Sequence, residues 1–527
     1  MTQRSFHFAI AGIVLVTIAG AGLDVMEVDA AQYAGMSRDM LASDNWTKLY
    51  FRGHDYLDKP PLLFWLSALS FKLFGISNWS YKLPSILFAF LGLVATYRFT
   101  LLYSSREVAR SASLMFGGSA AFLLMTNDVR CDTILTGSVM TAIWAGAAWI
   151  EQRRWWQLGL CAMAIGAGML VKGPMGIMAP LLALIGHIAF AKRWDVFRDA
   201  RWLIGILVIG ILLIPMCIGL YEQHGIQGLR FYFWEQSFGR ITGENRWKDD
   251  SSYFYFTHEV LWQMLPWTIF ILVGILASVK EVVERTAREY FTISGIVLVF
   301  VAISLSHFKL PHYLYVILPL LAVLGARAWH SARSAWLFRT HGIVVILVWS
   351  LTVVLAAWSF PNGSVPFIAL MLILVVVAVL ILHRMADRSG LFLATFWIMM
   401  GIGITVNGHV YPQILHYQAN AQAGKWAAEN GYDRNHFFGM HLSGTALDLY
   451  AGFPVKWISN VGEANDVIGP GVAVYTDVIH REQLIQAGFR PKSEVVLQNY
   501  EVQLMGFDMI DPIKRYKAVE ARFILIY

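Results

Sequence analysis

The sequence predicts an all-α polytopic membrane protein that ends in a small soluble α/β domain. Of its 527 residues, 57% are hydrophobic and only 14% are charged, whereas soluble domains carry about 25% charged residues. The mean hydropathy is +0.54. Apolar runs of about 18 to 20 residues, long enough to cross a bilayer as helices, recur as far as residue 409. Together these observations exclude an ordinary soluble globular chain.

About thirteen membrane-spanning helices are predicted from these runs. The candidate spans are 6–23, 84–103, 111–126, 133–150, 157–171, 174–191, 202–220, 261–279, 290–306, 311–329, 341–359, 366–383 and 391–409. The first run precedes many others, so we interpret it as an uncleaved helix rather than a secretory signal. The stretch 60–74 is apolar but short, and we expect a helix that lies in the headgroup plane.

The positions of the basic residues predict the orientation. With a cytoplasmic N-terminus, every short inside loop carries Lys or Arg, as the positive-inside rule requires. Two long segments, 24–83 and 221–260, then lie outside. An odd number of spans also places the C-terminal domain outside, so we divide the chain into a membrane part, 1–409, and a domain over 410–527.

The composition of 410–527 is that of a soluble domain. Strand-like runs at 471–475, 494–497 and 522–527 alternate with helical patterns at 419–430 and 481–487, which favours a small α/β fold. The net charge of +6 is spread over many loops, so no nucleic-acid surface is indicated. Three cysteines lie far apart, and no disulfide framework or zinc motif follows from them.

Polar motifs collect on the predicted outer face. Asp29 follows the first span, and Asp58 and Lys59 precede Pro60 and Pro61 at the start of the interfacial helix. Taken alone, that second motif is better explained by a helix N-terminus with a capping Asp58 and a snorkelling Lys59. The hairpin at 127–132 holds two Asp and one Arg, a charge density that a plain helix–helix turn does not require.

Three further outer motifs add cations. Their candidate residues are Lys172 in a Lys-Gly-Pro turn, Lys309 and Tyr313 in a Lys-x-Pro-x-Tyr turn, and Glu235 and Arg240 in the second long loop. Bases of this kind can hold a phosphate anion. The acids can deprotonate a hydroxyl or bind a divalent cation. The predicted ligand is therefore a phosphate-bearing lipid presented at the outer leaflet.

The ordered set of motifs resembles a known family. The acidic first loop ending in Asp-x-x-x-Tyr, the Asp-Lys-Pro-Pro element, the Asp-bearing second outer loop and the two lysine turns are similar to those of GT-C glycosyltransferases that use lipid-linked sugars. The nearest branch comprises bacterial aminoarabinose transferases and protein O-mannosyltransferase relatives. The resemblance covers about the first 330 residues. The C-terminal domain resembles the family only in position and size.

The resemblance implies a GT-C fold, a polyprenyl (undecaprenyl) phosphate-sugar donor and a periplasmic active site on a bacterial inner-membrane protein. It implies catalytic roles for Asp29 and Asp132. The expected donor-phosphate ligands are Lys59, Arg240, Lys172, Lys309 and Tyr313. A divalent metal ion, if the enzyme uses one, is expected at Asp58 and Glu235.

Two departures from the aminoarabinose branch concern the sugar and the metal. The first loop reads Asp29-Ala30-Ala31-Gln32, where that branch often has Asp-Glu-Ala-Arg, and Glu235 stands where it often has His. Missing polar groups in the first loop change sugar recognition, and the second change alters the metal-ligand set.

The predicted function is an inverting transfer of a sugar from a polyprenyl phosphate to a periplasmic acceptor. Lipid A, another envelope glycan and a protein all remain open as acceptors, and we expect a monomer in the lipid bilayer. A transporter or flippase of a lipid-linked sugar is the alternative, although such proteins tend to show two related halves and midplane charges. A polymerase or ligase acting on diphosphate-linked glycans is a third possibility.

Overall fold

The computed structural model describes residues 1–236, 239, 242, 251–361, 367, 371–372, 375–376, 388–442, 444–502 and 505–527. Helices build the part before Ala419. They are α1 (Gln3–Ala21), α2 (Asp29–Ser43), α3 (Leu62–Phe74), α4 (Asn78–Tyr103), α5 (Arg106–Gly117), α6 (Ala120–Met125), α7 (Cys131–Gln152), α8 (Trp155–Lys172), α9 (Met175–Phe190), α10 (Arg201–Arg230), α11 (Tyr255–Gln263), α12 (Thr268–Val283), α13 (Phe291–Ser304), α14 (Leu318–Ser331), α15 (Ala335–Val354), α16 (Arg388–Thr405) and α17 (Tyr411–Leu415).

Seven helices of the described part are long and apolar enough to cross a membrane. They are Gln3–Ala21, Asn78–Tyr103, Cys131–Gln152, Arg201–Glu235, Pro311–Ser331, Ala335–Ser359 and Arg388–Leu415. Several of these include short 3-10 or π segments at their ends. Three shorter apolar helices, α3, α9 and α13, accompany them. The predicted class of an all-α polytopic membrane protein is therefore confirmed.

The described part has fewer long apolar helices than the predicted number of about thirteen spans, because some apolar runs are divided or shortened. The run 111–126 is broken where α5 ends, and Ser119 caps the new helix α6 by accepting a hydrogen bond from the Phe122 N–H. The run 261–279 is divided between α11 and α12, with Pro266 between them. Most of the predicted span 366–383 lies outside the described residues.

In the first outer segment, 24–83, one helix was expected over 60–74, and α3 matches it, but the segment is more extensively structured. It contains α2, a short antiparallel hairpin of β1 (Tyr50–Phe51) and β2 (His54–Asp55), and then α3. The alanines of α2 have high helix propensity, and Ala30, Ala31 and Ala34 are all buried. Asp29 therefore belongs to the first turn of a packed helix rather than to a solvated loop.

A polar plug fixes the outer end of α1. The Lys82 ammonium on α4 donates to the carbonyls of Gly20 (3.0 Å) and Leu23 (2.9 Å), which satisfies acceptors that a helix end leaves free. Beside it, the Asn127 Nδ2 donates to Oδ1 of Asn407 at 2.7 Å. The pair fits because Gly20 has no side chain: a Cβ there would lie 1.9 Å from Oδ1 of Asn127.

The C-terminal part forms a five-stranded mixed sheet with helices around it. Its elements are α18 (Ala419–Glu429), β3 (Phe437–Met440), α19 (Thr445–Ala451), β4 (Lys456–Ile458), α20 (Val461–Val467), β5 (Ala473–Asp477), α21 (Val478–Gln486), β6 (Ser493–Asn499), α22 (Phe507–Ile510), α23 (Arg515–Ala518) and β7 (Glu520–Ile526). The strand order is β4-β3-β5-β7-β6. Strands β4, β3 and β5 are parallel, and β7 runs antiparallel to both β5 and β6.

The close packing at Gly20 leads to a prediction about stability. Gly20→Ala forces the Asn127–Asn407 pair apart, and overpacking of this kind typically costs about 1–3 kcal/mol. We expect a lower Tm in thermal unfolding of the detergent-solubilised protein. Gly159→Ala on α8 is the matched control, because nothing lies within 4 Å of its added Cβ and alanine favours a helix interior. Equal melting temperatures for the two variants would contradict the assignment.

Candidate active site

Asp29 lies where the membrane part meets the C-terminal part of the chain. It occupies the first turn of α2, where a negative charge is favourable because of the helix dipole. Its side chain is 43% exposed, and its Oδ2 lies 3.3 Å from Nη1 of Arg130. The carboxylate is thus held from one side and open on the other.

Arg130 joins Asp29 to the hairpin between α6 and α7. Its Nε donates to Oδ2 of Asp128 at 2.5 Å, while Nη1 contacts Asp29. Burial alone would lower the pKa of Arg130, but Asp128 and Asp29 outweigh it and raise this pKa further above its usual value. Arg130 is therefore a permanent cation that orients both carboxylates. In the sequence, the charge density of the hairpin indicates a site here, but the motifs assign a role only to Asp132.

Asp132 is the buried centre of a second set of contacts. Lys172, at the end of α8, donates from Nζ to its Oδ1 at 2.5 Å. The Nε2 of His312 lies 3.6 Å from its Oδ2, and the Asp132 side chain is only 5% exposed. The Lys172 ammonium also lies 4.1 Å from the centroid of the Tyr313 ring, an attractive cation–π geometry. Three of the predicted motifs thus converge here.

Lys59 adds a third cation beside these groups. Its Nζ donates to Oδ2 of Asp58 at 2.5 Å. Burial would lower the pKa of Lys59, but the Asp58 carboxylate, through its charge and its hydrogen bond, raises it above the usual lysine value. The backbone carbonyl of Asp58 accepts a hydrogen bond from the side-chain amide of Gln236. This bond links the Asp-Lys-Pro-Pro segment to the end of the long helix α10.

We call Asp29, Asp58, Lys59, Asp128, Arg130, Asp132 and Lys172 the outer charge cluster. His312 interacts electrostatically with Lys59, Arg130, Asp132 and Lys172, so we treat the paired groups as one site. The cluster holds four carboxylates and three permanent cations. Each cation is already held by a carboxylate, so an incoming anion has to compete with an acid for it.

Two tyrosines line the first segment beside this cluster. Tyr56 and Tyr33, the latter on α2, pack against the same ring in edge-to-face geometry, with centroids 6.1 and 5.7 Å from that of Phe64. Burial raises the pKa of both phenols well above the usual value. They remain neutral hydroxyls that can donate hydrogen bonds. The sequence reasoning did not select them.

Of the other two predicted cations, Lys309 contacts a different segment and Arg240 is not among the described residues. The buried Lys309 Nζ donates to the Ser251 carbonyl at 3.2 Å and lies 5.5 Å from the Tyr253 ring centroid. Both contacts are with the segment that precedes α11. Arg240 lies outside the described residues. These two predicted phosphate ligands stay predictions.

The predicted metal ion at Asp58 and Glu235 stays a prediction. One oxygen of Asp58 contacts Lys59, and one oxygen of Glu235 lies 3.3 Å from Arg230. A divalent ion would have to share these carboxylates with the two cations. Among the residues that the structure describes, no group of three His, Cys, Asp or Glu side chains is placed to hold a metal.

The C-terminal part is bound to the segment that carries Asp29. Both oxygens of Glu27 accept hydrogen bonds, from the Ala446 N–H at 3.0 Å and from Nδ2 of Asn420 at 2.9 Å. Burial raises the pKa of Glu27, and the donated bonds oppose that rise. The Thr445 hydroxyl donates to the carbonyl of Val28 at 3.0 Å. The residues immediately before Asp29 are thus held by the domain.

Comparisons with known proteins agree with this arrangement. The family model described as dolichyl-phosphate-mannose-protein mannosyltransferase matches residues 58–218. The structure superimposes on ArnT from Cupriavidus metallidurans bound to undecaprenyl phosphate with a TM-score of 0.78, at 17% identity and over 99% of this chain and 98% of that chain. The chain has the GT-C fold. The apo form of the same protein gives a TM-score of 0.68 at 17% identity, over 91% of this chain and 94% of that one.

Curated relatives point to the same branch. An undecaprenyl phosphate-alpha-4-amino-4-deoxy-L-arabinose arabinosyl transferase of Serratia proteamaculans is 24% identical over 76% of this chain and 69% of its own length. A second such transferase, from Proteus mirabilis, is 24% identical over 57% of this chain and 54% of its own length. The chain thus matches between about half and two thirds of these relatives. The predicted resemblance is confirmed.

The Asp132–Lys172 pair is expected to be strongly coupled. Asp132→Asn leaves a buried ammonium without its carboxylate, and Lys172→Met leaves the carboxylate without its cation. Breaking such a pair typically lowers the free energy of unfolding by about 3–5 kcal/mol. The double variant removes both charges and should recover part of that loss. Thermal unfolding of the four proteins gives the coupling free energy. Strictly additive losses would contradict a direct ion pair.

Proposed function

We propose that this protein is a glycosyltransferase that moves a sugar from an undecaprenyl phosphate carrier to an acceptor outside the bacterial inner membrane. The observation that carries the proposal is the outer charge cluster, in which a half-open carboxylate, Asp29, stands beside several cations. The similarity to aminoarabinose transferases supports the donor class. The N-terminus is then cytoplasmic, and the C-terminal domain, 410–527, lies in the periplasm above the membrane part, 1–409.

The cations of the cluster suit the leaving group. As the bond between the anomeric carbon and the phosphate oxygen breaks, its electron pair moves to the lipid phosphate, which gains negative charge. Fixed cations at that position stabilise the transition state more than the ground state. Lys59 is the best placed of them, because its partner Asp58 is 36% exposed and can turn towards solvent. Lys172 is held by a buried carboxylate and acts more as a positioning group.

Asp29 suits the role of general base. Its contact with Arg130 measures 3.3 Å, against 2.5 Å for the contacts of Asp58, Asp128 and Asp132 with their cations. It is therefore the carboxylate of the cluster least engaged by a cation. In the proposed reaction an acceptor hydroxyl attacks the anomeric carbon opposite the phosphate, and its proton passes to Asp29. Attack from that side inverts the anomeric configuration.

Asp132 has a different place in the proposal. Two cationic or polarised groups, Lys172 and His312, face its two oxygens, and little of it is open to a substrate. We therefore assign it to holding Lys172 in position rather than to proton transfer. We assign proton transfer to Asp29.

Replacing Asp29 tests the proposed reaction. Asp29→Asn keeps the shape but removes the base, so transfer should fall by about 10²–10⁴-fold. The carrier sugar should then accumulate in cells, and mass spectrometry of membrane lipids would detect it. Asp39→Asn, an acid later in the same helix that pairs with Arg38, is the control and should behave as wild type. Unchanged lipid pools together with unchanged envelope glycosylation would favour the transporter alternative.

Lys59 should matter for binding of the lipid phosphate. Lys59→Ala removes one charge-assisted contact, which typically contributes about 1.5–3 kcal/mol, so affinity for undecaprenyl phosphate should drop at least about tenfold. Because the pKa of Lys59 is raised, the wild-type ammonium stays charged as pH rises through the neutral range. Binding should therefore not weaken there.

The control for this binding experiment is Lys48→Ala. That lysine belongs to the same outer segment but pairs with Glu222 at the surface, 3.2 Å away. An equal loss of undecaprenyl phosphate affinity in the two variants would mean that only general positive charge matters, and the assignment of Lys59 would fail.

A further inference from the structure

A polar cavity of about 570 Å³ opens between the first outer segment and the C-terminal sheet. Glu27 and Val28 form one wall, directly before Asp29 in the chain. The opposite wall comes from the sheet and the segment after β6. Its residues with charged or titratable side chains are His441, Asp477, Tyr500, Glu501 and Arg522. None of these belongs to the outer charge cluster.

The cavity lies at the topological switch point of the sheet. From β3 the chain crosses to β4 on one side and then returns to β5 on the other side, and all three strands are parallel. Ligands of open α/β sheets bind in the crevice outside the carboxyl ends of the strands at such a point. His441 directly follows β3, and Asp477 ends β5. Both therefore stand where the fold builds a binding crevice.

His441 is held in a costly conformation at this edge. Its φ of 54° lies in the left-handed region, which side-chain-bearing residues seldom adopt and which points towards a functional constraint. The ring stacks on His480 at a centroid distance of 4.0 Å and an angle of 12°. His480 in turn lies 2.8 Å from Oδ1 of Asp477. The strained backbone thus places an aromatic, hydrogen-bonding surface at the cavity.

The lining favours hydroxyl groups over anions. Carboxylates and side-chain amides predominate among its polar groups, namely Glu27, Asp477, Glu501, Gln418, Asn420 and Asn499. The one arginine, Arg522, lies 3.8 Å from Asp477 and 2.8 Å from Glu520, so acids already neutralise it. A phosphate would meet uncompensated negative charge here. Planar acceptor groups beside a stacked ring suit a carbohydrate.

We propose that this cavity binds the glycan part of the acceptor, as an uncharged or amino-bearing carbohydrate, and directs one of its hydroxyls to Asp29. The inference rests on the proposed transferase function and narrows it, because the acceptor atom is then a sugar hydroxyl rather than a phosphate oxygen. Val28 lines the cavity and Asp29 follows it in the chain, so the proposed base comes one residue after the cavity wall.

The test uses the full-length protein in nanodiscs and two matched probes, diacetylchitobiose and its 1-phosphate, with binding followed by saturation-transfer NMR. Wild type should bind the uncharged disaccharide and bind the phosphate about tenfold or more weakly. Glu501→Gln and His441→Gly should each weaken disaccharide binding by about tenfold, the effect of one good hydrogen bond. Glycine accepts a φ of 54° readily, so the second variant keeps the fold.

The control is Glu482→Gln, an exposed acid on α21 that does not line the cavity, and it should leave disaccharide binding unchanged. Three results would each overturn the inference. Wild type does not bind the disaccharide, wild type prefers the phosphate, or the cavity variants bind the disaccharide as well as the control does.

Undecaprenyl phosphate binding, measured on the same proteins, separates the two proposals. All variants should bind it as wild type does. If wild type fails to bind it while disaccharide binding depends on Glu501 and His441, the transferase function and the acceptor role fail and a carbohydrate site stands. If undecaprenyl phosphate binds normally but the disaccharide results fail, only the acceptor cavity is overturned.

Discussion

The buried ion pair between Asp132 and Lys172 is the constraint from which the arrangement of the outer surface follows. A carboxylate that is 5% exposed at the edge of a membrane span needs a cation in contact, because an unpaired buried charge is far too costly. That requirement brings the N-terminus of α7 against the end of α8, and His312 brings the segment before α14 to the same point. The helix ends that surround the substrate space are thus fixed by one electrostatic need.

The same need explains why the cluster is nearly balanced in charge before any substrate arrives. Lys59, Arg130 and Lys172 could not remain buried together without the acids that hold them. A lipid phosphate that enters must replace some of those contacts, so its affinity is a difference between two sets of ion pairs. In the proposed reaction this competition would limit trapping of the product, a lipid phosphate that carries more negative charge than the donor.

Much of this was accessible from the sequence, and the limits have physical causes. Hydropathy and loop charge predicted a multi-span protein, since a bilayer imposes length and polarity directly on the chain. The turns at Asp132, Lys172 and Tyr313 were recognisable as motifs, and the structure brings them together. Arg130, Tyr33 and Tyr56 were missed because their importance comes from partners about 25 to 100 positions away. Helix α2 was missed because its buried face mixes small and polar residues, such as Ala30, Ser37 and Arg38, with larger apolar ones, which leaves a weak periodic signal.

Helix α2 connects the two substrate sides of the proposed reaction. Its first turn contributes Asp29 to the charge cluster, and further along the helix Arg38 donates from Nη1 to the Asp448 carbonyl of the C-terminal part at 2.6 Å. Arg52, from the hairpin that follows, binds the carboxylate of the same aspartate at 2.7 Å. Because these contacts hold α2 at both ends, the C-terminal domain cannot move far without moving Asp29. In the proposed reaction the domain is therefore part of the catalytic geometry and not a passive cover. The wall that it forms with Glu27 and Val28 would set the direction from which an acceptor reaches the base, and the membrane part would set the position of the phosphate.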